Sequence, residues 1–150
     1  MQHDGWLEAY IQASMPELEL VFRNHGFVGD KVLDRPRNSG FMDPHSYLEL
    51  SKADVIFAFF GYNESFDNKP DQFKSDLAKW IDETRSKNYS GKGSPRIVLF
   101  SPIAHENLNS PDLPTGKENN VRLMAYTAAM KAVAQEKNVT FVDLFHPSQK

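Results

Sequence analysis

The sequence predicts an α/β protein built around a parallel β-sheet. Stretches with helical and strand-like patterns alternate along its 150 residues, an order typical of right-handed β–α–β crossovers. At the centre is the apolar run over residues 55–60, whose aromatic and β-branched residues predict a strand buried on both faces. Gly61 ends the run, and Asn63 and Glu64 follow it. Because parallel sheets bind ligands just past the carboxyl ends of their strands, we expect Asn63 to lie at a ligand site.

One helix and one strand are predicted at the start of the chain. Apolar residues recur at helical spacing over residues 6–15, with Asp4 as the N-cap and Pro16 just after the last turn. Residues 18–22 then predict a strand, and the loop that follows it contains two glycines, of which Gly29 is the second.

Two further helices flank the central strand. Residues 44–52 predict a short helix that is capped by Asp43 and has a proline at its first position. Residues 70–87 predict the best-defined helix of the chain, because one face is apolar and charged residues fill the opposite face. That apolar stripe consists of Phe73, Leu77, Trp80 and Ile81.

The last part of the chain predicts a strand, a helix and a final strand. Residues 97–100 form the next buried strand, and Asn119 or Asn120 caps a helix that ends at residue 137. Residues 139–145 form the last strand. The residues predicted to face inward from the helix are Val121, Met124, Ala125, Ala128, Ala132 and Val133.

Composition excludes several classes of function. The 17 basic and 20 acidic residues are interspersed and give a net charge of −3, so no basic stripe indicates a nucleic-acid partner. The absence of cysteine excludes disulfides and thiolate catalysis. The histidines show no metal-ligand spacing, and we expect neither a metal nor a cofactor. We expect one domain over residues 1–150, no membrane span and no signal peptide in this stretch, although the true N-terminus of the protein can lie upstream.

Three candidate site segments follow three predicted strands. Gly29 allows the backbone to approach a ligand and to direct its N–H inward, although a glycine that only makes a turn is an equal alternative. The Asn63 amide is able to donate to a developing oxyanion, although a turn-stabilising asparagine is the better interpretation of this residue alone. His105 and Glu106 form an acid/base pair or contact substrate in the functional interpretation, and are ordinary loop residues in the simpler one.

Two segments of the chain resemble blocks of the Ser-Gly-Asn-His (SGNH) hydrolases, also called GDSL-like lipases and esterases. The first runs from Asn24 to Asp30. The second comes about 30 residues later, where a predicted buried strand is followed by Gly61, Asn63 and Glu64. The resemblance covers nearly the whole chain and is greatest for bacterial GDSL-like acylhydrolases. It implies a three-layer α/β/α fold with a flavodoxin-like parallel sheet. It also implies that the Gly29 N–H and the Asn63 side chain form an oxyanion hole, with Glu64 standing where many members have aspartate.

Two blocks of this family are not expected within these residues. The nucleophilic serine ends a strand that precedes the helix at Trp6, and the Asp-x-x-His dyad follows the last strand after a further loop. Asp143 and His146 match Asp-x-x-His by spacing, but Asp143 is predicted to lie inside the last strand, so we interpret the match as coincidental. Ser101 is a weaker alternative nucleophile, since no base is predicted beside it.

The missing first strand is the central one in the sheet that the resemblance implies. Its absence leaves the strands at 18–22 and 55–60 each with an unpaired edge, which is costly when buried. Three outcomes remain: the two strands pair with each other, the domain is marginally stable, or Met1 is an internal methionine of a longer protein. We favour the third, and expect the isolated chain to be poorly stable.

The function implied by the resemblance is hydrolysis of a carboxylic ester through a serine acyl-enzyme. The substrate would be a small-molecule ester, such as an acetylated carbohydrate. Because the nucleophile and its dyad are expected outside these residues, the chain alone should be inactive or nearly so. The alternative is a non-catalytic α/β module that binds a ligand or partner in the same cleft.

Overall fold

The computed structural model describes residues 4–36 and 40–149. Helices and strands alternate as predicted through most of this chain, and a single 3₁₀ turn follows the first strand. The elements in chain order are α1 (Trp6–Ser14), α2 (Pro44–Leu50), β1 (Val55–Phe59), the 3₁₀ turn (Glu64–Asp67), α3 (Pro70–Arg85), β2 (Arg96–Phe100), α4 (Lys117–Lys137), β3 (Thr140–Val142) and α5 (Phe145–Ser148).

The three strands form a parallel sheet in the order β1-β2-β3. Ile56 is opposite Ile97 across the first pair of strands, and Leu99 is opposite Phe141 across the second. The Ser101 N–H then donates to the Val142 carbonyl at 3.0 Å, which continues the ladder just past the end of β2. The parallel α/β arrangement predicted from the sequence is therefore confirmed, and the segments that follow all three strands meet at one edge of the sheet.

The core lies between the sheet and the helices α3 and α4. The predicted stripe of α3 is confirmed, since Phe73, Leu77, Trp80 and Ile81 are all buried. Ile56 and Leu99 contribute from the sheet, and the Phe73 ring packs against the Tyr126 ring of α4 with centroids 5.0 Å apart. Clear separation of apolar and charged faces made this helix readable from sequence.

The buried face of α4 differs from the predicted one. Of the six residues expected to face inward, only Val133 is fully buried, while Val121 and Met124 are 62% and 50% exposed. The helix carries apolar residues around most of its circumference, so their spacing alone does not identify the packed side. The observed buried residues are Leu123, Tyr126, Thr127, Met130, Val133 and Ala134.

The strand predicted at residues 18–22 is wrong. Hydrogen bonds hold this segment to the end of α1 instead. The Leu18 N–H donates to the Met15 carbonyl at 3.1 Å, and the Gln12 side-chain amide donates to the Leu18 carbonyl at 2.8 Å. A strand exists only where a neighbour completes its hydrogen-bond ladder, and no described strand lies beside this segment. Its large apolar side chains are therefore at least 37% exposed at Leu18, Val21 and Phe22. The predicted possibility that this segment pairs with the central strand is excluded by the same finding.

The prediction that the central strand is buried on both faces is also wrong. Ile56 and Ala58 point into the core, whereas Val55, Phe57 and Phe59 are 38%, 38% and 44% exposed. The helices α3 and α4 cover one face of the sheet, and within the described residues no helix seals β1 on the other face. On that face, Phe59 stacks on Phe100 with ring centroids 4.6 Å apart.

Helix caps agree with the sequence at α2 and differ elsewhere. The Asp43 carboxylate accepts from the main-chain N–H groups of His45 and Ser46, which confirms the predicted N-cap of α2. The N-cap of α1 is Gly5 rather than Asp4. Helix α4 begins earlier than predicted, with Gly116 at the N-cap position instead of Asn119 or Asn120, because Asn120 is used to bind another loop, as described below.

The last strand is shorter than predicted. It ends at Val142, so Asp143 lies past the carboxyl end of β3 rather than inside it, and Phe145 begins the short helix α5. In the described ranges, no helix combines the length and apolar character needed to cross a bilayer.

Candidate functional site

The structure brings the segments of Gly29 and Asn63 together. The Asn63 side-chain amide donates to the main-chain carbonyl of Asp30 at 2.8 Å, although 33 residues separate the two in sequence. An amide NH₂ group has two hydrogens, so this bond anchors the side chain and leaves a second N–H to serve as a donor. Asn63 itself is half-buried and lies just before the 3₁₀ turn.

Gly29 has a conformation that suits a main-chain donor. Its φ of +87° is open to glycine and strained for other residues. A Cβ atom built on it would have one neighbour within 4 Å, the Pro36 ring at 3.9 Å, so backbone conformation rather than crowding requires the glycine. Within residues 4–36 and 40–149, no acceptor lies in hydrogen-bond range of the Gly29 N–H.

Gly61 closes the turn that carries Asn63 away from β1. Its φ is +100°, and an added Cβ would lie 3.3 Å from the Pro102 ring and 3.5 Å from the Phe73 ring. Both the positive φ and the close approach therefore require glycine here. Its N–H donates to the Glu64 carboxylate at 2.9 Å.

Glu64 lies inside the protein rather than at an open surface. Its side chain is 7% exposed, and its second carboxylate oxygen accepts from the Val32 N–H at 2.8 Å. Burial raises the pKa of Glu64, while main-chain hydrogen bonds, including those from Gly61 and Val32, and the positive charge of Lys31 oppose that increase. Glu64, which stands where many members of the resembled family have aspartate, thus joins two loops of the site.

A cavity of about 200 Å³ lies beside Glu64. It lies between the loop at residues 31–34, the 3₁₀ turn, the start of α3 and Tyr126. Lys31 and Asp67 form an ion pair at its rim, with 2.5 Å between Nζ and Oδ2. The part of the chain that the structure describes holds no group of three or more histidine, aspartate or glutamate side chains placed to bind a metal ion.

The predicted pair of His105 and Glu106 does not form an imidazole–carboxylate contact. The His105 Nδ1 atom lies 3.0 Å from the main-chain carbonyl of Glu106, and Glu106 is exposed. The Asn120 side chain instead holds the His105 main chain, accepting from its N–H at 2.7 Å and donating to its carbonyl at 2.9 Å. This role of Asn120 was missed, because an asparagine near a helix start predicts a cap.

Ser101 is a structural residue in this geometry. Its side chain is buried, and its Oγ accepts from the N–H groups of Leu144 and Phe145 at 2.8 and 3.0 Å. The hydroxyl contacts the Pro102 carbonyl at 3.1 Å. All of its hydrogen-bonding capacity is thus used within the fold, chiefly to connect the end of β2 to the start of α5, and no imidazole among the described residues bonds to it. Nothing in the sequence indicated this role.

Asp143 and His146 do form a hydrogen-bonded pair. The His146 Nδ1 atom lies 2.6 Å from Asp143 Oδ2, and the His146 N–H donates to the other carboxylate oxygen at 3.1 Å. Burial alone would raise the pKa of Asp143, but these hydrogen bonds and the imidazole charge lower it. In the described part of the chain, the other ring nitrogen of His146 contacts no hydroxyl group, so the pair lacks a nucleophile.

Comparison with known proteins places these features in a family. A sequence profile of the GDSL-like lipase/acylhydrolase family matches residues 2–150. No curated protein matches the chain. Among solved structures, a carbohydrate acetylesterase from Sinorhizobium meliloti superposes with a TM-score of 0.54 at 16% identity, covering 77% of this chain and 59% of the esterase. The inhibitor-bound aryl esterase of M. smegmatis gives a TM-score of 0.56 at 16% identity, with the same coverage of 77% and 59%.

These comparisons confirm the family resemblance and the predicted fold class. At this level of identity the structural likeness shows the fold alone, an α/β arrangement around a parallel sheet, with which the expected three-layer α/β/α fold is consistent. The chain spans about 59% of the length of the two solved esterases. The sequence match, by contrast, extends over nearly all of its residues, and on that ground the chain belongs to the GDSL-like lipase/acylhydrolase family.

Proposed function

We propose that this chain supplies the oxyanion-binding part of a carboxylic-ester hydrolase. The observation that carries the proposal is the hydrogen bond from the Asn63 amide to the Asp30 carbonyl. It holds the side-chain donor next to the turn that presents the Gly29 N–H, past the carboxyl end of β1. Donors fixed in advance at such a position stabilise the negative charge that develops on the carbonyl oxygen during acyl transfer.

The reaction proceeds through a serine acyl-enzyme in this proposal. The serine adds to the ester carbonyl, and the Gly29 N–H and the second Asn63 N–H bind the oxyanion of the tetrahedral intermediate. The alcohol then leaves, and water hydrolyses the acyl-enzyme. In this proposal, residues outside these 150 supply the nucleophile and the Asp/His dyad, and the chain alone is expected not to turn over substrate. The domain over residues 1–150 is then one part of a larger SGNH unit.

The substrate class in the proposal is a small-molecule ester, with an acetylated carbohydrate as the first candidate. A solved structure with this fold is a carbohydrate acetylesterase, and a second is an aryl esterase. Neither a cofactor nor a nucleic-acid partner is part of the proposed reaction.

A non-catalytic binding module is the second candidate function. The observation that favours it is the placement of Ser101, whose hydroxyl is used within the fold, and of His146, which faces no hydroxyl group among the described residues. In that case, the same cleft binds an ester or a partner without turnover.

The test begins by sequencing the DNA on both sides of the reading frame. The protein encoded by the full open reading frame, called the extended protein, is then expressed alongside the 150-residue chain. Hydrolysis of 4-nitrophenyl acetate is measured for each, with Asn63→Ala as the variant and Asn88→Ala, at an exposed turn away from the site, as the matched control. We expect no turnover above background from the 150-residue chain. In the extended protein, Asn63→Ala should lower kcat on the order of 10²–10³-fold, while Asn88→Ala leaves it unchanged.

Three results would contradict parts of the proposal. Turnover by the 150-residue chain that depends on Asn63 would show that the fragment is active. Full kcat in the Asn63→Ala extended protein would remove Asn63 from the oxyanion hole. Stop codons close to both ends, combined with saturable ester binding and no turnover, would establish the binding module instead.

A further inference from the structure

We propose that Glu64 is a positioning residue that locks the loop carrying Gly29 to the turn carrying Asn63. The inference rests on the proposed function, since it assigns the residue that sets the distance between the two oxyanion donors. Glu64 itself contacts no substrate in this role.

The geometry of the carboxylate supports the proposal. Oε1 accepts from the Val32 N–H at 2.8 Å and Oε2 accepts from the Gly61 N–H at 2.9 Å. Val32 is three residues after Gly29, and Gly61 is two residues before Asn63. One buried side chain therefore bonds to both segments of the candidate oxyanion hole.

The loop that carries Gly29 is anchored in the protein close to this bond. Val32, at 3% exposure, is the only fully buried residue among the described residues 4–36. The Lys31–Asp67 ion pair also spans the two segments, but it lies at the surface, where such pairs contribute little. The Asn63–Asp30 bond joins the same two segments as Glu64, and so does the Arg35 guanidinium, which lies 5.5 Å from the centroid of the Phe60 ring.

A glutamate carboxylate is the group that fits between these two donors. It offers an acceptor oxygen to each N–H, whereas glutamine offers one oxygen and turns an NH₂ group toward the other N–H. Aspartate is one methylene shorter and cannot keep both contacts without moving a loop. The charged and titratable groups that line the cavity with this carboxylate are Lys31, Asp34, Asp67, Lys69, Asp76 and Tyr126. The Lys31 ammonium bonds to Asp67 and the Tyr126 hydroxyl to the Lys69 N–H, rather than to Glu64. Glu64 therefore holds the two loops through main-chain groups alone.

The first test measures loop geometry without catalysis. Amide hydrogen exchange and ¹H–¹⁵N NMR spectra are recorded for the 150-residue chain carrying Glu64→Gln, Glu64→Asp or the matched control Glu136→Gln, an exposed glutamate in α4. We expect exchange at Val32 and Gly61 to accelerate roughly tenfold or more in both Glu64 variants. The signals of the Gly29 N–H and the Asn63 side chain should shift, and the control should match the wild type.

The second test separates positioning from general stability. In the extended protein, Glu64→Gln should lower ester kcat roughly 10- to 100-fold with KM within about twofold. The loss should not add to that of Asn63→Ala in the double variant, because both changes disable the same oxyanion hole. If Glu64→Gln fails to fold, Glu64→Asp takes its place in the same comparison.

The outcomes distinguish this inference from the proposed function. A loss of kcat with Asn63→Ala but not with the Glu64 variants would overturn the positioning role and leave the oxyanion hole intact. No loss with Asn63→Ala would overturn the proposed function. In that case exchange at Val32 and Gly61 decides whether Glu64 still links the loops, and wild-type exchange rates in both Glu64 variants would overturn that link as well.

Discussion

Replacing Ser101 by alanine tests whether this buried serine is a structural connector or a nucleophile. The substitution removes the Oγ that accepts from the N–H groups of Leu144 and Phe145. Both donors begin the short helix α5, and the Phe145 side chain is fully buried. A nucleophilic serine would show the opposite pattern, with lost reactivity and little change in stability.

The magnitude follows from the two donors that lose their acceptor. Each buried unsatisfied N–H costs about 1–3 kcal/mol, and solvent can reach the partly exposed Leu144 N–H. We therefore expect Ser101→Ala to lower the free energy of unfolding by about 2–4 kcal/mol. With a urea m-value of about 2 kcal/mol/M, the unfolding midpoint should fall by roughly 1–2 M.

The assay is urea unfolding followed by tryptophan fluorescence, with Ser75→Ala as the matched control. Ser75 is exposed on α3, where alanine is at least as favourable as serine. A fluorophosphonate probe, which reacts with activated serines, is applied to the wild type in parallel. A midpoint shift equal to that of Ser75→Ala, together with probe attached to Ser101, would refute the structural role.

Three further predictions concern the core, the long loop and the acid side of the stability curve. Leu77→Ala should lower the free energy of unfolding by about 2–5 kcal/mol, measured by urea unfolding, because the side chain is completely buried; a loss below that of an exposed α3 substitution would contradict the packing. Gly116→Ala should cost about 1–3 kcal/mol, measured by thermal unfolding, since its φ is +76° and a Cβ would lie 2.6 Å from His105 Nδ1; an unchanged Tm would show that the loop adopts another path. The hydrogen bonds that lower the pKa of Asp143 stabilise the fold at pH values above the ordinary aspartate pKa, and this stabilisation is lost as the pH falls through the lowered value. Asp143→Asn should therefore make the Tm decline less steeply at acidic pH. Parallel curves of Tm against pH for the two proteins would show that the bond to His146 does not contribute to stability.

The sequence predicted the elements whose signals are local. Helix α3 has its charges on one face, and α2 has an aspartate cap followed by proline, so a short window of residues determines each. Helix α4 lacked such contrast, because apolar residues surround it and the packing of Tyr126 against Phe73 of α3 selects the buried side. The segment at residues 18–22 has the composition of a strand, but strand formation depends on a partner that no local pattern contains.

The sequence predicted the position of the candidate site better than it predicted the hydrogen bonds within it. Gly29 and Asn63 were assigned to one edge of the sheet, and the Asn63–Asp30 bond shows that their segments meet. The bridge through Glu64 was not predictable, because it depends on a side chain and a main-chain N–H that are 32 residues apart in sequence. The Asp143–His146 pair is a case in which residue spacing indicates a contact but not its chemical surroundings. Its spacing produces the hydrogen bond of a dyad, while the presence of a hydroxyl group beside it depends on the whole fold.

The edge of β1 that has no strand beside it among the described residues affects how this chain behaves at high concentration. The strand reads Val-Ile-Phe-Ala-Phe, with no charge, no proline and one edge that is unpaired among the described residues. Such segments template cross-β stacking between molecules. Asp54, immediately before the strand and paired with Lys92 at 3.4 Å, places charge at the start of this segment, and charges at such positions oppose self-assembly.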